Sequence, residues 1–233
     1  MSTSAPARRG FDPVALIAFA IVVTAYVRAI WFTPPEMTQG YAQKILYVHA
    51  PAAWVAFLAF GLTALAGAFW LFLKDPRLDR FAESSAEVGV IFTTAVLVTG
   101  PLWGKPIWGT WWTWDARLTG TLFLWFVYLG YLVLRSAVDE RETRARYSAI
   151  LGILGALLIP FIHLSVYLFR TLHPLPVVAN TSGIQMPPVM IKTFFLAFFA
   201  FTALYIAFVR VRMALATDRD ALDDAAHGAA HAG

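Results

Sequence analysis

Apolar residues gather along the chain into six long runs separated by polar stretches. The first, Val14 to Phe32, begins after Pro13 and is closed by Thr33, Pro34 and Pro35. Ala50 to Leu73, Ser84 to Leu102, Leu118 to Val138, Tyr147 to Phe169 and Val189 to Val209 follow. Each is close to the ~20 residues an α-helix needs to cross a bilayer core. The third is the weakest, because it holds three threonines, two glycines and Pro101. No small-residue cleavage site follows the first run, so it reads as a retained anchor rather than a signal peptide. The pattern predicts an all-α integral membrane protein with one six-helix domain over residues 1–212. The remainder, 213–233, is charged and then rich in Ala, His and Gly, and is expected to be disordered.

Composition supports that class. Hydrophobic residues make up 59% of the chain and charged ones 14%, against about 25% charged in soluble domains. There is no cysteine, which excludes disulfides, thiolate metal sites and thioether attachment of a cofactor to this chain. The net charge of +4 lies between the spans, so it speaks of topology and not of nucleic acid. Arg8, Arg9, Lys74, Arg77, Arg80, Arg135, Arg141, Arg144, Arg146, Arg210, Arg212 and Arg219 fall on one side of the predicted spans. Lys44, Lys105, Arg117, Arg170 and Lys192 fall on the other, and Arg28 lies within the first span. By the positive-inside rule the richer side is cytoplasmic. Both termini are then cytoplasmic, and the connection between spans three and four faces outward, to the periplasm of a bacterium.

That connection is the most distinctive stretch. Trp103 to Thr119 reads W-G-K-P-I-W-G-T-W-W-T-W-D-A-R-L-T and holds five of the nine tryptophans: Trp103, Trp108, Trp111, Trp112 and Trp114. Its two glycines and Pro106 are expected to break any long helix through it. Trp108, Trp111 and Trp112 have i, i+3, i+4 spacing, so a short interfacial helix would present them on one face. An ordinary aromatic belt spreads its tryptophans over all helix ends, whereas this cluster is better suited to stacking on a flat ring system. Asp115 can cap span four. Arg117 and Lys105 can pair with carboxylates of a ligand, or Arg117 with Asp115.

The histidines complete the candidate chemistry. His49 lies in Y-V-H-A-P-A-A-W at the outer end of span two, and His173 in R-T-L-H-P at the outer end of span five. A lone interfacial histidine is ordinarily a packing residue. Two at matching depth beside an aromatic platform could supply both axial ligands of a haem iron. His163 is expected to make an interhelical hydrogen bond, and His227 and His231 to lie in a solvated tail. Glu87 lies close to the start of the third span and no carboxylate falls in a span interior, which disfavours proton-coupled transport. No phosphate-binding glycine loop is present, so the chain does not hydrolyse nucleotide.

The segment W-G-T-W-W-T-W-D-A-R-L-T, residues 108–119, resembles the tryptophan-rich WWD signature of haem-handling membrane proteins of cytochrome c biogenesis. The ending D-A-R-L-T, V-H-A-P-A-A-W after the first span, T-L-H-P after the fifth, and six spans in a chain of this length are similar to haem exporter protein C (CcmC). Larger relatives carry further spans and an intramembrane histidine pair, which this sequence lacks, so the resemblance implies only an external haem site. It implies that His49 and His173 are axial ligands of haem b carried as cargo, and that Trp108, Trp111, Trp112, Trp114 and Asp115 cradle the porphyrin. Arg117 is added from its charge alone. It further implies a non-enzymatic delivery protein of the bacterial inner membrane. The cargo would pass to a membrane-anchored haem chaperone (CcmE), in association with a small one-span subunit (CcmD) and an ABC transporter pair (CcmA and CcmB). Membrane lipid would surround it, and no nucleic acid is expected. Two rivals remain at this point. One is a membrane enzyme or transporter for a flat aromatic substrate such as quinone; the other is a purely structural subunit of an ABC assembly.

Overall fold

The computed structural model describes residues 12–174 and 186–232. Among them the regular elements are seven α-helices: α1 (Pro13–Trp31), α2 (Leu46–Leu73), α3 (Pro76–Trp108), α4 (Ala116–Ala137), α5 (Arg141–Ala156), α6 (Leu158–Leu168) and α7 (Pro188–Ala232). A 3₁₀ turn, Tyr41–Ile45, leads into α2. Six segments are long and apolar enough to cross a membrane, α5 and α6 together forming the fifth. The sixfold reading of the sequence and the helices therefore agree.

Polar residues at the edges of the apolar runs set the helix ends. Asp12 accepts from the Val14 amide at 2.9 Å and Asp75 from the Arg77 amide at 2.8 Å, with a proline at the first helical position in each case. Glu140 accepts from the amides of Glu142 and Thr143. Such caps satisfy amides that the helix itself cannot, and a carboxylate also suits the positive end of the helix dipole. At the other end of α1, the Lys44 ammonium donates to the carbonyls of Ala29, Ile30 and Thr33 at 2.7–3.0 Å.

Three elements differ from the sequence reading. α3 continues through Pro101, Gly104 and Pro106 and stops only at Gly109, which adopts φ 77°. The expected break in the tryptophan stretch is therefore later, because helices in a low-dielectric setting keep their backbone bonds even around prolines. The fifth span is interrupted instead, at Leu157. Pro160 offers no amide to the Ala156 carbonyl and its ring crowds that group, while the Leu157 amide turns back to Leu154 at 3.3 Å. Finally, α7 runs on to Ala232, through residues whose composition points to disorder.

Ion pairs support that last extension as far as Asp224. Arg219 forks onto Glu83 at 2.8 and 2.9 Å, Arg80 meets Asp220 at 3.1 Å, and Arg141 meets Asp224 at 2.7 Å. Arg212 pairs with Glu87. These contacts tie the end of α7 to the start of α3 and of α5. At their centre Arg135 is buried and bonds Asp79 at 2.6 and 2.9 Å and Glu83 at 3.2 Å.

The apolar core lies along α2. Ala52, Val55, Ala56 and Ala59 face Val88, Phe92 and Val96 of α3 and Phe201, Tyr205 and Val209 of α7. Small side chains at these spacings let helix backbones approach. On the opposite side of α2, Phe60 stacks on Tyr128 with ring centres 3.7 Å apart, next to Leu124 and Ile162. The Tyr128 hydroxyl donates to the Gly152 carbonyl at 2.8 Å. Gly89 is required here, since a Cβ on it would lie 2.5 Å from the Phe60 ring. α2 thus sits between α3, α7 and the α4–α6 layer, and its first turn is fixed relative to the last turns of α3.

Removing one member of a buried charge group leaves the others unpaired, at a cost of about 3–5 kcal/mol. Arg135→Ala should therefore lower stability by about that amount, read as thermal unfolding of the detergent-solubilised protein. A change no larger than that of Arg146→Ala, whose pair with Glu142 is exposed, would contradict the buried-cluster assignment.

Candidate functional site

The site forms where the first turn of α2, the last turns of α3, the start of α4 and the residues after α6 meet. Each contributes through a simple local cause. Leu46 starts α2, three residues ahead of His49. Gly109 ends α3 in a left-handed conformation that side chains resist, with its amide bonded to the Lys105 carbonyl at 3.0 Å. Lys105 then turns its ammonium onto the Gly109 carbonyl at 2.9 Å. Residues 110–114 are irregular, not helical. The expected interfacial helix through Trp108, Trp111 and Trp112 does not form, because the Gly109 reversal places Trp108 on α3 and the other two beyond the turn.

Asp115 restarts the helix and ties in the fourth segment. One carboxylate oxygen accepts from the Arg117 and Leu118 amides, both at 3.0 Å. The other accepts from the hydroxyls of Thr113 at 3.1 Å and Thr171 at 3.3 Å. Thr171 in turn accepts from the His173 amide at 2.8 Å. Asp115 is thus a cap, as the sequence allows, and also the post on which the His173 segment hangs.

Two histidines distant in sequence come together here. The rings of His49 and His173 are 6.4 Å apart between centres, with 35° between their planes. An imidazole nitrogen binds a first-row metal at about 2 Å and the ring centre lies roughly 1 Å further back, so rings on opposite sides of one ion have centres about 6 Å apart. The pair has that separation. His173 Nδ1 lies 3.0 Å from the Pro174 carbonyl, which can only accept, so this nitrogen carries the hydrogen and Nε2 keeps its lone pair. Burial pushes the His173 imidazole down to about 4, with the Arg117 cation acting in the same direction. The ring is neutral at pH 7, the form a metal requires.

The tryptophans divide into two groups. Trp103 meets His49 edge to face at 5.8 Å, and Trp108 meets His173 at 6.3 Å. Gly104 gives Trp108 its place, since a Cβ there would lie 2.9 Å from the indole. Trp112 and Trp114 touch each other edge to face at 5.7 Å, while Trp111 and Trp114 are exposed. Trp111, Trp112 and Trp114 make no ring contact with either histidine. Arg117 forms no ion pair with Asp115 among the described residues, and its Nη1 is buried without a hydrogen-bond partner, as is Trp112 Nε1. His163 is half-buried on α6 and makes no hydrogen bond among the described residues, contrary to the expected interhelical one. His227 is on the exposed end of α7.

Trp103, Thr99 and Thr171 had no role in the site as read from the sequence. Trp103 was visible only as part of the tryptophan cluster. The two threonines carried no signal, because they matter through a packing of α3 on α2 and of the 169–174 segment on α4.

The fold and the site together define a multi-pass helical membrane protein in which two histidines and two tryptophans cluster where helix ends meet. The chain belongs to the Heme exporter protein C family, whose profile matches residues 4–225. It is 39% identical to Heme exporter protein C of Haemophilus influenzae over 208 residues, 86% of this chain and 83% of that one. Heme exporter protein C of Bradyrhizobium diazoefficiens is 37% identical over 173 residues, 74% of this chain and 66% of its own length. That of Escherichia coli K12 is 40% identical over 160 residues, 67% of this chain and 65% of its own.

The lowered value of His173 fixes a direction for pH dependence. Between its ordinary value of 6.5 and about 4, an unfolded chain takes up a proton that the folded chain refuses. This group's contribution is therefore fully present above pH 6.5 and declines as the pH falls towards 4. Without added ligand, the thermal midpoint of the wild-type protein should fall more steeply across that window than that of His173→Gln. Parallel slopes would show that the ring is not buried as described.

Proposed function

We propose that the protein handles haem in cytochrome c biogenesis, holding haem b as cargo at the outer, periplasmic face and delivering it to the haem chaperone CcmE. The observation that carries this reading is the spacing of His49 and His173, 6.4 Å between ring centres, which suits axial ligation of one iron from both sides. Family membership supports the same cargo. Haem is a flat apolar ring with two carboxylates. Trp103 and Trp108 wall the histidine pair, and Trp112, with the exposed Trp111 and Trp114, lies on the same connection. The buried Arg117 Nη1 is available to a propionate, a charge-assisted contact. Lys105 is engaged with the Gly109 carbonyl, which makes Arg117 the better propionate partner. Asp115 acts indirectly, by capping α4 and holding Thr171.

The asymmetric distribution of Lys and Arg along the sequence supports an orientation with both termini cytoplasmic and the WWD segment outside. Residues 1–212 would be the membrane domain. CcmD, CcmA and CcmB would be the membrane partners, the ATPase pair serving release of the loaded chaperone. The protein itself binds and hands over, without turnover of a substrate.

The test is an absorption spectrum of the detergent-purified protein, co-expressed with the chaperone. Wild type should show a six-coordinate haem signal, and His49→Ala and His173→Ala should lower retained haem and delivery to the chaperone without affecting membrane insertion. Normal delivery in both variants would refute the ligand assignment. Absence of haem, even after haem is added, would favour a structural role in a membrane assembly.

A further inference from the structure

His49 is supported from a different helix than its own, and the direction of each hydrogen bond in that support can be read. Thr99, in the last turns of α3, lies 3.0 Å from His49 Nδ1. The same hydroxyl is 2.7 Å from the Ala95 carbonyl, one turn back on α3. A hydroxyl has one hydrogen, and a carbonyl can only accept. The Thr99 hydrogen is therefore committed to Ala95, and its oxygen must accept from His49. The neighbouring residue, Gly100, closes the same wall: a Cβ there would lie 3.3 Å from His49 Cε1.

We propose that Thr99 is a positioning residue for cargo binding, its hydroxyl oxygen holding the Nδ1 hydrogen of His49 so that Nε2 is presented to the iron. The inference rests on the axial-ligand reading given above. A ring nitrogen that keeps its hydrogen on a fixed acceptor leaves the other nitrogen as the donor to metal, and such outer partners both orient the ring and raise its basicity. Neither Nε2, of His49 or of His173, has a hydrogen-bond partner among the described residues. The two ligands reach this state by different means. The Pro174 carbonyl, one residue away, serves His173, so its tautomer is set by local backbone. His49 depends on a side chain fifty positions along the chain. Substitution at Thr99 can therefore remove the support of one ligand and leave the other untouched.

The experiment uses the full chain purified in detergent and loaded with haem, comparing wild type, Thr99→Val, Thr99→Ser, His49→Ala and His173→Ala. Valine keeps the shape of threonine and loses the acceptor; serine keeps the acceptor. Two quantities are read: the coordination state in the absorption spectrum, and the rate of haem loss to excess apomyoglobin. Thr99→Val should lose haem about 10–100-fold faster than wild type, the range for an outer partner of a metal ligand, with a weakened six-coordinate signal. Thr99→Ser should behave as wild type, and the thermal midpoint of Thr99→Val should stay close to wild type. Thr99→Val indistinguishable from wild type, or Thr99→Ser as impaired as Thr99→Val, would overturn the positioning role while the histidine variants still lose haem. Six-coordinate haem retained in His49→Ala and His173→Ala would instead overturn the ligand reading on which it rests.

Discussion

The Asp115 carboxylate uses one oxygen to begin α4 and the other to gather two loop hydroxyls, from Thr113 and Thr171. Irregular backbone beside a membrane must find its hydrogen-bond partners inside the protein, and this site contains two such stretches. A single side chain that terminates one and restrains the other lets both exist side by side. The consequence reaches His173 through the Thr171 hydroxyl. The apolar helices supply the frame, and this polar junction determines which residues meet at its end.

The frame itself depends on close approach. Ala52, Ala56 and Ala59 of α2 and Gly89 of α3 admit neighbouring helices to short distance, so α2 and α3 are locked along their length. His49 at the start of α2 and Thr99 near the end of α3 are thereby brought into register. Far along α3, acids in its first turns meet arginines of α4 and α7. Buried charges of this kind are tolerated because each is paired.

The six apolar runs, the cap at Asp115, the tryptophan stretch and the placing of His49 and His173 at helix ends were legible in the sequence. They depend on local composition, and local composition is what a sequence displays. The course of α3 through Pro101 and Pro106 was not legible, since proline preference in water misjudges a helix whose backbone has no competing solvent. The interruption at Leu157 carried a signal in Pro160, overshadowed by the continuous apolarity around it. The helical end of α7 is set by arginines and acids from four helices, a pairing that spacing along one helix cannot reveal. Within the site, Trp103 and Thr99 depend on how α3 lies against α2. Nor does spacing reveal that Arg117 Nη1 is buried without a hydrogen-bond partner.

The interruption at Leu157 also bears on how the histidine pair is mounted. His49 is carried by a helix of 28 residues in the middle of the bundle, whereas His173 follows α6, a helix of 11 residues that lies against α4. One wall belongs to the chassis of the molecule, the other to a short outrigger joined to it at a break in the helix. The two histidines are thus mounted unequally, one on the central bundle and the other on a short helix whose end is tied back to the start of α4 through Asp115 and Thr171.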